Sequence, residues 1–135
     1  MAEDIDCASL RVLIIDDQDF VRVIVRKMLN QIGIERVAEA HDGASGLEAV
    51  RAEPPDLVIC DVQMRPMDGF RFVEELRATP PGARMPVIML TAHTDSGLTA
   101  RAHALNIGAF LTKPVLPPAL KREIGRVMEA AGRRA

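Results

Sequence analysis

Short apolar runs alternate along this chain with stretches whose apolar residues recur every three or four positions. Residues 10–15 form a run rich in Val and Ile that stops at Asp16, the pattern of a strand buried on both faces. Similar runs recur at residues 57–60 before Asp61, 87–90 before Thr91 and 109–112 before Lys113. Residues 36–40 make a weaker strand candidate, expected at a sheet edge. Helical spacing fills the gaps. Phe20, Val21, Ile24, Met28, Leu29 and Ile32 recur at helical steps, with Gly33 as the stop. Asp42 and Asp68 stand as N-caps ahead of a second and a third helix, the third closed by Pro80-Pro81-Gly82. Leu98, Ala102 and Leu105 mark a fourth helix ending near Gly108, and Leu120, Ile124, Val127 and Met128 mark a fifth. This alternation of strand and helix implies an α/β fold, a parallel sheet with helices on both faces.

Composition narrows the class. The 135 residues fit one domain, and no linker or low-complexity tract divides them. Apolar residues at 48% and charged residues at 27% are those of a globular domain and exclude a disordered chain. Seventeen basic against 19 acidic residues leave a net charge of −2, which argues against a nucleic-acid binder. No apolar run approaches the ~18 residues a membrane helix needs, and the acidic start is no signal peptide, so a cytoplasmic domain is expected. Cys7 and Cys60 have no metal-type spacing, so neither a disulfide nor a zinc framework is expected.

The polar residues collect at one end of the expected sheet. Asp16-Asp17, Asp61, Thr91 and Lys113 each follow the C-terminal end of a predicted strand, where open α/β sheets bind their ligands. Two carboxylates ~4 Å apart repel by about 4 kcal/mol at an effective dielectric near 20. In this set only Lys113 offsets that charge, so the crevice needs a cation or a raised carboxyl pKa. Oxygen ligands at strand ends suit Mg²⁺ better than zinc. A hard divalent ion beside a carboxylate is also what phosphoryl transfer requires, because it screens two anions as they approach.

With these residues in order, the chain resembles the receiver domain of two-component response regulators, of the single-domain, chemotaxis-type kind. The resemblance runs over about residues 10–128. It rests on Asp16-Asp17, Asp61, Met64, Met67-Asp68-Gly69, Thr91-Ala92 and Lys113-Pro114. It implies a flavodoxin-like, doubly wound (βα)5 fold with strand order 2-1-3-4-5, and a single receiver domain over residues 1–135 with no output domain. It further implies that Asp61 is the phosphoacceptor, becoming an aspartyl phosphate. Asp17 would ligate Mg²⁺ directly, Asp16 mainly through water, and the Gln63 backbone carbonyl would add a ligand beside Asp61. Lys113, the Thr91 hydroxyl and the Ala92 N–H would hold the phosphoryl group, with a cis bond before Pro114 aiming Lys113. Thr91 and Phe110 would form the switch, moving the surface of the fourth helix, fifth strand and fifth helix. Gln63 and His93, two residues after Asp61 and Thr91, are expected to tune dephosphorylation.

Two positions depart from the family pattern. The usual Met-Pro-x-Met-Asp-Gly loop reads Met64-Arg65-Pro66-Met67-Asp68-Gly69, with the proline one place late and Arg65 beside the crevice. Phe110 replaces the commoner tyrosine and offers no hydroxyl. The remaining candidates have plainer readings. Phe110 also reads as core, and Thr91 also as a helix N-cap. His41 and His103 read as surface residues, the Met residues as core filler, Cys60 as an inert buried hydrophobe, and Arg133-Arg134 as a solubilising tail.

The resemblance implies a signalling protein that catalyses only its own phosphorylation and dephosphorylation. Its partners would be a sensor histidine kinase or histidine phosphotransfer protein and a downstream protein target, with no nucleic acid and no membrane. It would be a monomer or a phosphorylation-dependent dimer. A phosphorelay intermediate, or a receiver from a longer transcription factor or cyclase, remains open. A haloacid-dehalogenase-type phosphatase would want an Asp where Gln63 stands. A flavin binder would want a phosphate loop where the acidic Asp16-Asp17-Gln18-Asp19 stands, and a P-loop is absent.

Overall fold

The computed structural model describes residues 7–92 and 96–132. After a short 3₁₀ turn the elements run β1 (Arg11–Ile15), α1 (Asp19–Ile32), β2 (Arg36–Ala40), α2 (Gly43–Ala52) and β3 (Leu57–Asp61). They continue with α3 (Gly69–Arg77), β4 (Val87–Thr91), α4 (Ser96–Ala104), β5 (Ala109–Thr112) and α5 (Pro117–Ala130). The five strands are all parallel, in the order β2-β1-β3-β4-β5.

Alternate side chains of each central strand enter opposite cores. Val12 and Ile14 of β1, Leu57 and Ile59 of β3, and Ile88 and Leu90 of β4 pack with Val25 and Leu29 of α1 and Leu120, Ile124 and Met128 of α5. Leu13 and Ile15, Val58 and Cys60, and Val87 and Met89 face the other way, onto Leu47 and Val50 of α2, Phe72 and Leu76 of α3, and Ala102 of α4. Burial of both faces explains the continuous Val/Ile/Leu runs. The edge strand β2 buries Ala40 and half-buries Val37, which is why its sequence signal is weak.

The helix ends follow local chemistry. Gly33 closes α1 at φ 108°, a left-handed conformation that glycine adopts without a Cβ penalty. Asp42 caps α2 through a capping box: the Ser45 N–H donates to Asp42 Oδ1 at 2.8 Å, and the Asp42 N–H donates back to Ser45 Oγ at 3.3 Å. Asp68 caps α3 by accepting from the Arg71 N–H at 2.8 Å.

Some predicted boundaries move. β3 and β4 each run one residue further, so Asp61 and Thr91 are the last residues of their strands. Helix α3 stops at Arg77, ahead of the Pro80-Pro81-Gly82 stop, because the Thr79 hydroxyl donates to the Leu76 carbonyl at 2.7 Å and turns the chain. Helix α4 stops at Ala104 rather than near Gly108. Asn106 adopts φ 56°, and the Ile107 N–H returns to the Ala102 carbonyl at 2.9 Å, a left-handed closure. No helix among the described residues is long and apolar enough to cross a membrane.

Candidate functional site

Register carries the site residues to one end of the sheet. Ile15 pairs with Cys60, Asp61 with Leu90, and Thr91 with Thr112. The ladder then continues past the strand ends. Asp16 N–H donates to the Ala40 carbonyl at 3.2 Å, Val62 N–H to Leu90 at 2.9 Å and Lys113 N–H to Thr91 at 2.7 Å. The backbone of each of these segments is therefore fixed as firmly as the sheet itself.

One oxygen from each of Asp16, Asp17 and Asp61 lies within 4.8 Å of the others. Asp16 is fully buried, Asp61 is 5% exposed, and Asp17 opens to solvent. Lys113 Nζ joins them, 3.0 Å from Asp61 Oδ1 and 3.3 Å from Asp16 Oδ2. Asp16 Oδ1 accepts the Gln18 N–H at 2.9 Å, so its orientation is set from both sides. Arg22 of α1 donates to the Asp16 backbone carbonyl and pairs with Asp19.

Burial pushes the Asp61 carboxyl above its ordinary range, and the charges of Asp16 and Asp17 add to this. The Lys113 hydrogen bond only partly offsets it. Burial pulls Lys113 the other way, but the hydrogen bond to Asp61 and the two carboxylate charges outweigh it, and the ammonium is held above its usual value. Three oxygen donors around one lysine still leave excess negative charge. That set fits a hard divalent cation such as Mg²⁺, with Asp17 as the accessible ligand.

Thr91, 3% exposed, completes the wall, and Ala92 follows it at the surface. Lys113–Pro114 is cis, as the resemblance implied, and Arg65–Pro66 is cis as well. Gln63 and Arg65 are exposed and border, with Asp17 and Asp68, a cleft of about 670 Å³ beside the carboxylates. Phe110 is half-buried, edge-on to Phe70 of α3. His93 and the Arg133-Arg134 tail lie outside the described residues. His41 and His103 are exposed, and burial pushes the Cys60 thiol well up, consistent with an inert side chain.

Gly69 enters the sequence reading only as a member of the Met67-Asp68-Gly69 motif, with no role of its own. A Cβ there would collide with the Asp61 carbonyl oxygen and sit 2.7 Å from Met89 Cε. The Gly69 N–H donates to the Val62 carbonyl at 2.8 Å, so the β3–α3 loop folds back directly over the site strand. By local pattern alone the Asp68-Gly69 pair reads as a helix start.

A family model described as the response regulator receiver domain matches residues 12–125. A probable chemotaxis protein CheY of Rhizobium etli is 35% identical over 90% of this chain and 95% of its own length. A protein-glutamate methylesterase/protein-glutamine glutaminase of Haloarcula marismortui is 39% identical over 78% of this chain. The match spans only 28% of that longer protein. Among solved structures, the chemotaxis protein CheY4 of Vibrio cholerae superposes with a TM-score of 0.83 at 32% identity, over 87% of this chain and 98% of that one.

Proposed function

The chain belongs to the response regulator receiver domain family, and on that premise we propose that it is a phosphoryl-accepting signalling module in which Asp61 is the phosphoacceptor. The observation that carries the reading is the buried Asp61 carboxylate, 3.0 Å from the Lys113 ammonium and within 4.8 Å of two further carboxylates at the ends of parallel strands. A carboxylate oxygen of Asp61 attacks phosphorus as the P–N bond to a donor histidine breaks. Mg²⁺ held by Asp16, Asp17, Asp61 and the Gln63 backbone carbonyl would screen the charges of carboxylates and phosphoryl group. Lys113 trades its contact with Asp61 for a phosphoryl oxygen, and the Thr91 hydroxyl and Ala92 N–H donate to the others.

Binding of the phosphoryl group draws Thr91 inward, and Phe110 follows into the vacated space. The surface of α4, β5 and α5 changes, and with it the affinity for a downstream protein. Gln63 and His93 set the phosphoryl lifetime. The donor is a sensor histidine kinase or histidine phosphotransfer protein. The module acts in the cytoplasm as a monomer or phosphorylation-dependent dimer, and residues 1–135 form one receiver unit that turns over no separate substrate.

Intact-mass measurement after incubation with acetyl phosphate tests this. Wild type should gain one phosphoryl group with Mg²⁺ and none with EDTA, and Asp61→Asn should gain none. Uptake by Asp61→Asn equal to wild type would sink the assignment.

A further inference from the structure

The cleft beside the carboxylates has one wall made by an aromatic ring under a cation. Arg101 of α4 places its guanidinium carbon 4.1 Å from the centroid of the Phe70 ring. Phe70, 1% exposed, in turn meets Phe110 edge-on, with ring centroids 6.4 Å apart and planes at 66°. Three elements are thus joined in one stack: Arg101 from α4, Phe70 from α3 and Phe110 from β5. Arg101 makes no ion pair among the described residues, although Asp17 and Asp68 line the same cleft. Its charge is directed onto the ring.

Helix α4 has few other anchors. Among its described side chains only Ala102 is buried, and Leu98 is half-buried. By contrast α3 buries Phe70, Phe72, Val73 and Leu76. Phe110 has no hydroxyl to fix its outer edge, so its position is set by what its ring packs against. The face of Phe70 that Arg101 covers is therefore coupled to the ring at Phe110.

We propose that Arg101 is a positioning residue for the phosphoryl-transfer site: its stack on Phe70 holds α4 to α3 and keeps Phe110 in the unphosphorylated position. The proposal rests on the reading of Asp61 as phosphoacceptor and of Phe110 as the ring that moves. A cation over an aromatic face at a partly exposed position stabilises the state that contains it, and removing it shifts the population by about two- to fivefold. Loss of the stack lowers the cost of moving Phe110 and so favours phosphoryl uptake.

The test uses the full chain with fluorophenylalanine at its four phenylalanines, the signals assigned with Phe70→Leu and Phe110→Leu. Arg101→Met keeps the length of the side chain without charge, and Arg101→Lys keeps a cation. Position 101 is exposed on its helix, so both variants fold. In metal-free, unphosphorylated protein, Arg101→Met should move the Phe70 and Phe110 fluorine resonances and leave that of Phe20 in place, while Arg101→Lys stays close to wild type. With acetyl phosphate and Mg²⁺, Arg101→Met should take up the phosphoryl group about two- to fivefold faster than wild type, and Arg101→Lys should fall between them. An unmoved Phe110 resonance in Arg101→Met, or identical behaviour of the Met and Lys variants, overturns the proposal. If wild type takes up no phosphoryl group at all, the Asp61 reading and the kinetic arm fall together, and the fluorine resonances still decide the stack.

Discussion

Among the described residues Lys113 is the one cation within reach of two carboxylates at the site, and its removal separates two effects. Lys113→Met leaves Asp16 and Asp61 without the ammonium that lies 3.0–3.3 Å from them. A more negative crevice should bind Mg²⁺ several-fold more tightly, measured by calorimetric titration. The same variant should lose most of its phosphoryl uptake, because the phosphoryl oxygens lose their counter-charge. Tighter metal with slower uptake is the expected pair, and weaker metal binding would contradict the charge argument. Gly69 gives a second prediction. Gly69→Ala drives a methyl group into the Asp61 carbonyl and toward Met89. Overpacking of this kind costs about 1–3 kcal/mol, to be read from urea unfolding, and displaces the loop over the site. These two residues also differ in how far the sequence discloses them. Asp16, Asp61 and Lys113 are legible because each ends an apolar run, and parallel register carries run ends to one place. The close approach of Gly69 to Asp61 and the Arg101–Phe70 stack are not, because such contacts arise between positions apart in the chain.

At the scale of elements, Arg77 joins three segments. Among the described residues it pairs with no carboxylate. It donates instead to the carbonyls of Gly82 at 2.8 Å, Met85 at 2.7 Å, Leu105 at 3.1 Å and Asn106 at 3.1 Å. The end of α3, the lead into β4 and the end of α4 are thereby held together. Arg77→Met removes the donor these carbonyls share and should cost about 2 kcal/mol in urea unfolding. The boundaries that sequence periodicity misplaced, at the ends of α3 and α4, lie within this same junction. Termination there is decided by Thr79, by Asn106 in the left-handed region and by Arg77, none of which alters the hydrophobic period. Helix α1 is tied to the edge strand differently, through Glu39. Burial of Glu39 opposes ionisation, but hydrogen bonds from Arg26 at 2.6 Å and Arg22 at 3.0 Å prevail, and its carboxyl sits below its ordinary value. Its stabilising effect is therefore present above the ordinary carboxylate range and is lost as pH falls through the lowered folded value. The stability gap between wild type and Glu39→Gln should be full at neutral pH and close in acid; a gap that widens on acidification would reverse the sign.

Across the whole molecule, the fold was readable because both sheet faces are buried and each central strand carries a continuous apolar run, while the weak strand β2 lies at an edge. That same architecture brings the charged residues together at one rim, so the native state is built around a repulsion that the unfolded chain does not feel. Asp17 adds to that repulsion: its charge raises Asp61, and its own carboxylate is exposed, so it gains little from burial. Asp17→Asn should therefore make the metal-free protein more stable than wild type. A divalent ion acts on the same term from outside. Mg²⁺ that binds only the folded chain stabilises it by about 1.4 kcal/mol at ten times its Kd, a rise of about 5 °C in Tm for a domain of this size. Wild type should show this rise in a calorimetric scan with Mg²⁺, and Asp17→Asn, lacking the accessible ligand, should show little of it. Equal rises in the two proteins would place the stabilising ion away from the three carboxylates. A rise confined to wild type would make one cluster of charges both the cost of the folded state and the site that relieves it.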